Sequence, residues 1–126
     1  MKTYNIEINK KYIVTSEDID DIMCAALEGG INYWCRKAEV VGEYLGDYAS
    51  EQISRGGTLI LYDAESSDKW ELNIEKLLCG IEKAIEENWY PEYEWFEDGR
   101  LETSQIDAEV SDVIVQLALF DEIVFG

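Results

Sequence analysis

The pattern of apolar and polar residues changes from strand-like to helix-like early in the chain. Alternating side chains predict a strand over 4–8, and residues 12–14 can extend the pairing. A helix is then predicted to begin at a cap formed by Thr15 or Ser16 and to end at Gly29-Gly30. One face of this helix carries an apolar stripe spaced for burial: Ile19, Ile22, Met23, Ala26 and Leu27.

The central part of the chain shows three further changes of pattern. Aromatic and β-branched residues predict a strand over 31–41. Apolar residues then recur with helical spacing, which predicts a short helix over 44–53. Two apolar runs over 58–62 and 69–72 flank a polar loop and predict a β-hairpin.

The last third of the chain contains two amphipathic helices. Asn73 is predicted to cap a helix that ends near Asn88, and Asp107 is predicted to cap the final helix. Residues 123–125 are a possible last strand. We therefore predict a single α+β domain over 1–126, in which an antiparallel sheet of about four strands packs against three main helices.

Charge narrows the range of partners. The chain has 28 acidic and 10 basic residues, a formal net charge of −18. Such a field repels nucleic acid and anionic membranes, because both are bound through lysine and arginine. It attracts basic surfaces, which are typical of nucleic-acid-binding proteins. Solubility is the alternative interpretation of this acidity.

The residues needed for common catalytic chemistry are scarce. The chain has no histidine, which removes the usual proton-transfer group and the usual metal ligand. Its three cysteines form no CxxC pair, so we predict reduced thiols, a cytoplasmic location, no metal and no cofactor. Two of them, Cys24 and Cys79, lie on or beside apolar helical stripes and are predicted to be buried. No apolar run reaches the roughly 18 residues of a membrane span. We predict that the protein is not an enzyme.

The strongest functional candidate is an acidic and aromatic segment. Residues 82–102 carry eight carboxylates against two cations, and five aromatic residues fall within 89–96. The acids can present charge much as phosphates do, and the aromatics can supply contact area for a protein partner. The alternative is a loop whose aromatic side chains fold back onto the helices. The predicted partner-binding residues are Glu86, Glu87, Trp89, Glu92, Tyr93, Glu94, Trp95, Glu97 and Asp98.

A second candidate site surrounds Cys35. Tyr33, Trp34 and Arg36 could together hold a base and its phosphate, which would make the protein a nucleotide-binding or sequestering protein. Arg36 could also lower the pKa of the Cys35 thiol, but no histidine base accompanies it. A plain strand segment is the simpler interpretation, because neighbours in a strand point to opposite faces.

Three stretches have a distinctive sequence. They read ALEGGINYWC at 26–35, VGEYLG at 41–46 and LFDEIVFG at 119–126. With them the chain resembles small proteins encoded by bacteriophages and mobile elements of Gram-positive bacteria. The resemblance covers most of the chain, is weakest over 86–106 and implies no catalytic residues. Such genomes encode anti-CRISPR and antirestriction proteins that imitate DNA, and this chain resembles those in size and acidity.

These observations lead to one main expectation of function. The resemblance and the charge together predict a non-enzymatic inhibitor of a basic, nucleic-acid-binding defence effector in the host bacterial cell. Its acidic face would occupy the nucleic-acid groove of the effector, without binding nucleic acid or membrane itself. The alternatives are a nucleotide-binding protein and a structural homo-oligomer such as a homodimer.

Overall fold

The computed structural model describes residues 2–126 and confirms the predicted α+β class with three main helices. The strands are divided between two sheets. The strands are β1 (Thr3–Ile8), β2 (Lys10–Thr15), β3 (Cys35–Val40), β4 (Leu59–Asp63), β5 (Lys69–Leu72), β6 (Phe96–Glu97) and β7 (Arg100–Leu101). The helices are α1 (Ser16–Ala25), α2 (Ile74–Glu86) and α3 (Ala108–Phe120).

The first sheet has the order β1-β2-β7-β6. β1 and β2 form an antiparallel hairpin that turns at Asn9, whose φ of 71° suits an asparagine. β2 pairs in parallel with β7 through Ile13 and Arg100. The Ile13 N–H also donates to the carbonyl of Gly99 at 2.9 Å. This pairing holds the short β6–β7 hairpin at the edge of the first sheet, next to the strand that leads into α1.

The second sheet is the antiparallel order β3-β4-β5. β4 is its central strand, and Leu59 and Leu61 are buried on one face. Leu72 of β5 pairs with Leu59 and is also buried. The predicted hairpin is therefore confirmed.

The first helix begins where its sequence indicates, but its α-helical part ends at Ala25, before the predicted end at Gly29-Gly30. The Thr15 side chain accepts a hydrogen bond from the Asp18 N–H at 3.2 Å, and the Asp18 carboxylate accepts from the Thr15 N–H at 2.8 Å. This reciprocal capping box satisfies two backbone donors at the helix start. After Ala25 the chain continues as one π-helical turn over Ala26–Gly30.

The third helix lies at the centre of the molecule. Every residue from Val110 to Leu117 is buried, polar ones included. It packs chiefly against α2, and Gly80 of α2 makes that approach possible. A Cβ on Gly80 would clash with the Ile114 carbonyl oxygen, so no larger residue fits without moving the helices apart.

Three predicted elements differ from the structure. The predicted helix over 44–53 is reduced to a short 3₁₀ turn, Ala49–Glu51. The buried Gln52 side chain accounts for this, because it accepts from the Leu45 N–H at 3.0 Å and donates to the Glu43 carbonyl at 3.2 Å. Those contacts hold the preceding backbone as an irregular loop.

The other two differences concern predicted strands, one of which is shorter than predicted and one of which does not form. The predicted strand over 31–41 begins only at Cys35, since residues 31–34 form a turn. Residues 123–125 form no strand, because Gln116 rather than a strand accepts hydrogen bonds from the Val124 and Phe125 N–H groups.

Thiol burial departs from the sequence prediction. Cys35 is buried, Cys24 is half-buried and Cys79 is exposed. In α2 the buried face runs through Leu77, Gly80, Ile81 and Ala84, and this face leaves Cys79 outside. Within residues 2–126, none of the helices is both long enough and apolar enough to cross a membrane.

Candidate functional site

The acidic and aromatic segment folds as two parts with different environments. In its first part the aromatic side chains pack together: Tyr90 stacks on Tyr93 at 4.9 Å, and Tyr93 lies 5.7 Å from Trp95 between ring centroids. The indole of Trp95 is only 9% exposed and belongs to the core. These rings therefore stabilise the fold, as the fold-back alternative expects.

The second part is the β6–β7 hairpin. Asp98 and Gly99 form its turn with positive φ angles of 50° and 76°, a geometry that aspartate tolerates and glycine favours. Phe96 stacks on Tyr12 of β2 with 3.7 Å between ring centroids. This stack and the parallel pairing fix the hairpin, so that Glu97 and Asp98 are presented at its exposed tip.

The hairpin and the start of α1 together enclose a shallow groove of about 270 Å³, which we call the acidic groove. Its walls carry four carboxylates and a single arginine. A further carboxylate, that of Asp21, joins the two walls by accepting a hydrogen bond from the Thr103 hydroxyl at 3.2 Å. The residues that line the groove are Asp18, Glu97, Asp98, Arg100, Leu101, Glu102 and Thr103.

Local hydrogen bonds order two of these carboxylates. The Asp18 carboxylate completes the capping box at the start of α1. Hydrogen bonds from the backbone and side chain of Ser104 lower the pKa of Glu102. The acidic groove is therefore an anionic surface at neutral pH.

Other predicted acids lie outside the groove. Glu86 is the last residue of α2 and Glu87 follows it, and both are exposed. Trp89 is 41% exposed, and its indole N–H donates to the Glu87 carboxylate at 3.1 Å. Glu92 and Glu94 are exposed in the loop that follows.

A second group of carboxylates lies near the start of α3. Burial, followed by the nearby charges of Glu109 and other acids, raises the pKa of Tyr90 to about 12. Burial raises the pKa of Tyr93 too, with added effects from Asp107, Glu92 and Glu109. Negative charge thus surrounds the packed tyrosines.

The structure does not bring Tyr33, Trp34 and Arg36 into one pocket. Tyr33 and Trp34 line a small depression of about 200 Å³ with the C-terminal residues, whereas Arg36 lines a neighbouring one of about 250 Å³. The guanidinium of Arg36 lies 5.1 Å from the ring centroid of Tyr62, and its Nε donates to the Asp63 carbonyl at 3.1 Å.

The polar groups of Tyr33 and Trp34 are occupied by a buried carboxylate. The Tyr33 hydroxyl donates to Asp112 at 2.5 Å, and the Trp34 indole N–H donates to the same carboxylate at 2.8 Å. Gln116 donates to Asp112 at 2.9 Å and holds the C-terminal tail. We call Tyr33, Trp34, Asp112 and Gln116 the tail network, and its connections indicate a structural role. Burial raises the pKa of Cys35, which disfavours a thiolate there.

Sequence reasoning missed part of the acidic groove. The sequence pattern does not mark Asp18, Asp21 or Glu102 as site residues. These residues come together through long-range contacts, chiefly the parallel pairing of β2 with β7 and the stack of Phe96 on Tyr12. No group of His, Cys, Asp and Glu within residues 2–126 has an arrangement that could hold a metal ion.

Comparison with known proteins supplies no relative for this chain. None of the protein-family models, curated proteins or solved structures matches it significantly.

Proposed function

We propose that this protein is a non-enzymatic, phage-type inhibitor that binds a basic, nucleic-acid-binding defence protein of a bacterial host. The observation that carries the proposal is the acidic groove, in which four carboxylates from two distant parts of the chain face a single arginine. A surface of this sign attracts the lysines and arginines that normally contact phosphate. The proposed site of action is the cytoplasm of the host cell.

The contact with the partner would centre on the tip of the β6–β7 hairpin. Glu97 and Asp98 are exposed there, held on a rigid turn, so they can meet a partner's cations without ordering a flexible loop. Exposed Glu86, Glu87, Glu92 and Glu94 would add charge around this centre. The aromatic contact would come from Trp89, since Trp95 is buried and Tyr93 is packed in the tyrosine cluster.

The first experiment is capture of host proteins from a lysate of a Gram-positive bacterium, using immobilised protein at two ionic strengths. Raising the salt concentration from about 0.1 M to about 1 M shortens the Debye length from about 10 Å to about 3 Å. We expect the captured protein to bind nucleic acid, to be released by salt and to be displaced by an oligonucleotide that it binds.

A matched pair of variants tests the groove itself. Glu97→Gln with Asp98→Asn removes two charges from the hairpin tip while keeping side-chain shape, and asparagine accepts the positive φ at position 98. Glu65→Gln with Glu71→Gln removes the same charge from exposed positions of the β4–β5 hairpin, one in its loop and one in β5. We expect the first pair to weaken binding of the captured protein about tenfold and the second to leave it nearly unchanged.

Two results would contradict the proposal. One is capture that is indifferent to salt and to nucleic-acid competition. The other is equal weakening by both pairs of substitutions, which would show that overall charge rather than the acidic groove determines binding.

A further inference from the structure

A second cavity lies away from the acidic groove. It measures about 580 Å³ and is lined by Lys2, Ser16, Asp20, Leu45, Ser54 and Arg55. Small-molecule sites usually span about 300–1,000 Å³, a range that the acidic groove and the two depressions near Cys35 do not reach. We call it the basic cavity because two of the ten cations of the chain line it.

A backbone contact holds Lys2 beside the start of α1. The Lys2 carbonyl accepts a hydrogen bond from the Ser16 N–H at 3.0 Å, which ties the chain start to the start of α1. The Lys2 ammonium lies near Gly56, where a Cβ would stand 3.6 Å from Nζ. Arg55 precedes that glycine in the chain and lines the same cavity.

Neither cation is neutralised closely. The only ion pair of Arg55 within residues 2–126 is a 4.0 Å contact with Glu51, and the arginine side chain is 50% exposed. An ion pair of that length at an exposed site contributes little free energy. No ion pair joins Lys2 or Arg55 to the Asp20 carboxylate within the described residues. Two cations that line one cavity and form no close ion pair can attract an anionic ligand into it.

Asp20 supplies the second recognition element. Its Oδ1 atom is buried and accepts no hydrogen bond from the residues of the described chain. A buried acceptor without a donor costs free energy, and the soft second torsion of aspartate lets the carboxylate turn toward a donor in the cavity. Ser16 and Ser54 line the same space, and the Ser54 hydroxyl is occupied by the Glu51 carbonyl.

We infer that the basic cavity binds a small phosphorylated sugar, either free or as part of a nucleoside monophosphate. Its phosphate contacts Lys2 and Arg55, and a sugar hydroxyl donates to Asp20. A purely anionic ligand would be repelled by Asp20, and a neutral sugar would leave the two cations without a partner. The volume accommodates a pentose phosphate, with Leu45 at its apolar edge.

The experiment is isothermal titration of the full chain with ribose 5-phosphate, AMP, ribose and inorganic phosphate. We expect both phosphorylated sugars to bind and ribose and phosphate each to bind at least about tenfold more weakly, because each keeps only one of the two recognition elements. Tighter binding of AMP than of ribose 5-phosphate would identify a nucleotide, and equal binding a free sugar phosphate.

Matched variants locate the site. Arg55→Gln and Lys2→Gln should each weaken ribose 5-phosphate at least about tenfold, whereas Lys11→Gln removes an exposed cation of β2 and should change nothing. Asp20→Asn should weaken binding of ribose 5-phosphate but not of inorganic phosphate. Thermal melting of each variant without ligand confirms that it is folded.

The inference is overturned if neither phosphorylated sugar binds the wild-type protein. It is also overturned if Lys11→Gln weakens binding as much as Arg55→Gln. These outcomes leave the proposed inhibitor function untouched, because the basic cavity and the acidic groove share no residue.

Discussion

The tail network and the acidic groove use the same chemical group in opposite ways. In the tail network one carboxylate, Asp112, is only 9% exposed and accepts hydrogen bonds from a phenol, an indole and an amide. In the acidic groove four carboxylates lie near solvent, and the only cation that lines it with them is Arg100. Both regions carry negative charge, yet only in the tail network do buried donors within the protein satisfy the carboxylate.

This difference shows where stability and recognition reside. A buried carboxylate with donors on both oxygens matters for stability because its removal would leave those buried donors without an acceptor. Exposed carboxylates contribute little to stability and keep their lone pairs available for a partner. Acidity in this protein therefore has a structural role in the core, whereas at the hairpin tip it supplies exposed charge that the proposed function uses for binding.

The largest effect is expected from Asp112→Ala. The substitution leaves the Trp34 indole N–H, the Tyr33 hydroxyl and the Gln116 amide without their acceptor, so the free energy of unfolding should fall by about 3 kcal/mol. Urea denaturation measures it. Asp112→Asn keeps one acceptor oxygen and should cost less, and Glu97→Ala in the groove should change stability by less than about 0.5 kcal/mol. Equal losses for Asp112→Ala and Glu97→Ala would remove the distinction between the two regions.

The next effect concerns the aromatic side of the tail network. Phe125 stacks on Trp34 with centroids 5.0 Å apart and planes 2° from parallel, and it also contacts Trp70 and Phe120. We expect Phe125→Ala to destabilise the fold by about 2 kcal/mol through lost burial and ring contacts. Urea denaturation again gives the value, with tryptophan fluorescence as the probe.

Val124→Ala is the control for the tail. The Val124 side chain is 54% exposed, so its truncation should have little effect. If Phe125→Ala cost no more than Val124→Ala, the tail would be held by its backbone alone, through the hydrogen bonds to Gln116.

Local signals in the sequence predict most of the fold. The capped and striped helices α1, α2 and α3 and the β4–β5 hairpin form where the residues indicate, because caps and periodicity act over a few residues. The stretch over 44–53 has the same apolar spacing, but Gln52 turns inward and binds the backbone before it. The spacing of apolar residues does not reveal that a side chain competes with the helix for these backbone groups.

The candidate site is less predictable for a related reason. Glu97 and Asp98 are recognisable as part of an acidic run, but their neighbours Asp18 and Asp21 are supplied by a pairing between strands far apart in the chain. Similarly, the sequence places Tyr33 and Trp34 side by side without indicating that Asp112 of α3 takes up both polar groups. Each is a tertiary contact with no local signature.

A smaller effect is expected at alkaline pH. Burial, the hydrogen bond to Asp112 and the charge of that carboxylate raise the pKa of Tyr33 to about 12, from an ordinary value of 10.0. A raised pKa in the folded state means that the neutral phenol stabilises the fold. Its contribution is complete below about pH 10 and is lost as the pH rises through 12.

Comparison with Tyr33→Phe measures that contribution. Because the Tyr33 residue is 55% exposed, solvent screening limits the loss to less than about 1 kcal/mol. The unfolding free energy of the wild type should fall between pH 10 and 12 more steeply than that of the variant. Tyr90 has a similarly raised pKa and is unchanged in both proteins, so the difference between them isolates Tyr33. If the unfolding free energies of the two proteins fell equally steeply with pH, the hydrogen bond from Tyr33 to Asp112 would not contribute to stability.

The smallest effect on stability belongs to the acidic groove, and its sign is informative. Glu97→Gln with Asp98→Asn should raise the free energy of unfolding slightly, by less than about 0.5 kcal/mol, because it relieves repulsion among neighbouring carboxylates. Added NaCl should stabilise the wild type through screening and stabilise this variant less. Glu65→Gln with Glu71→Gln is the control of equal charge. If the groove pair instead lowered stability, its carboxylates would be satisfied within the fold as Asp112 is, and they would no longer be a surface kept open for a basic partner.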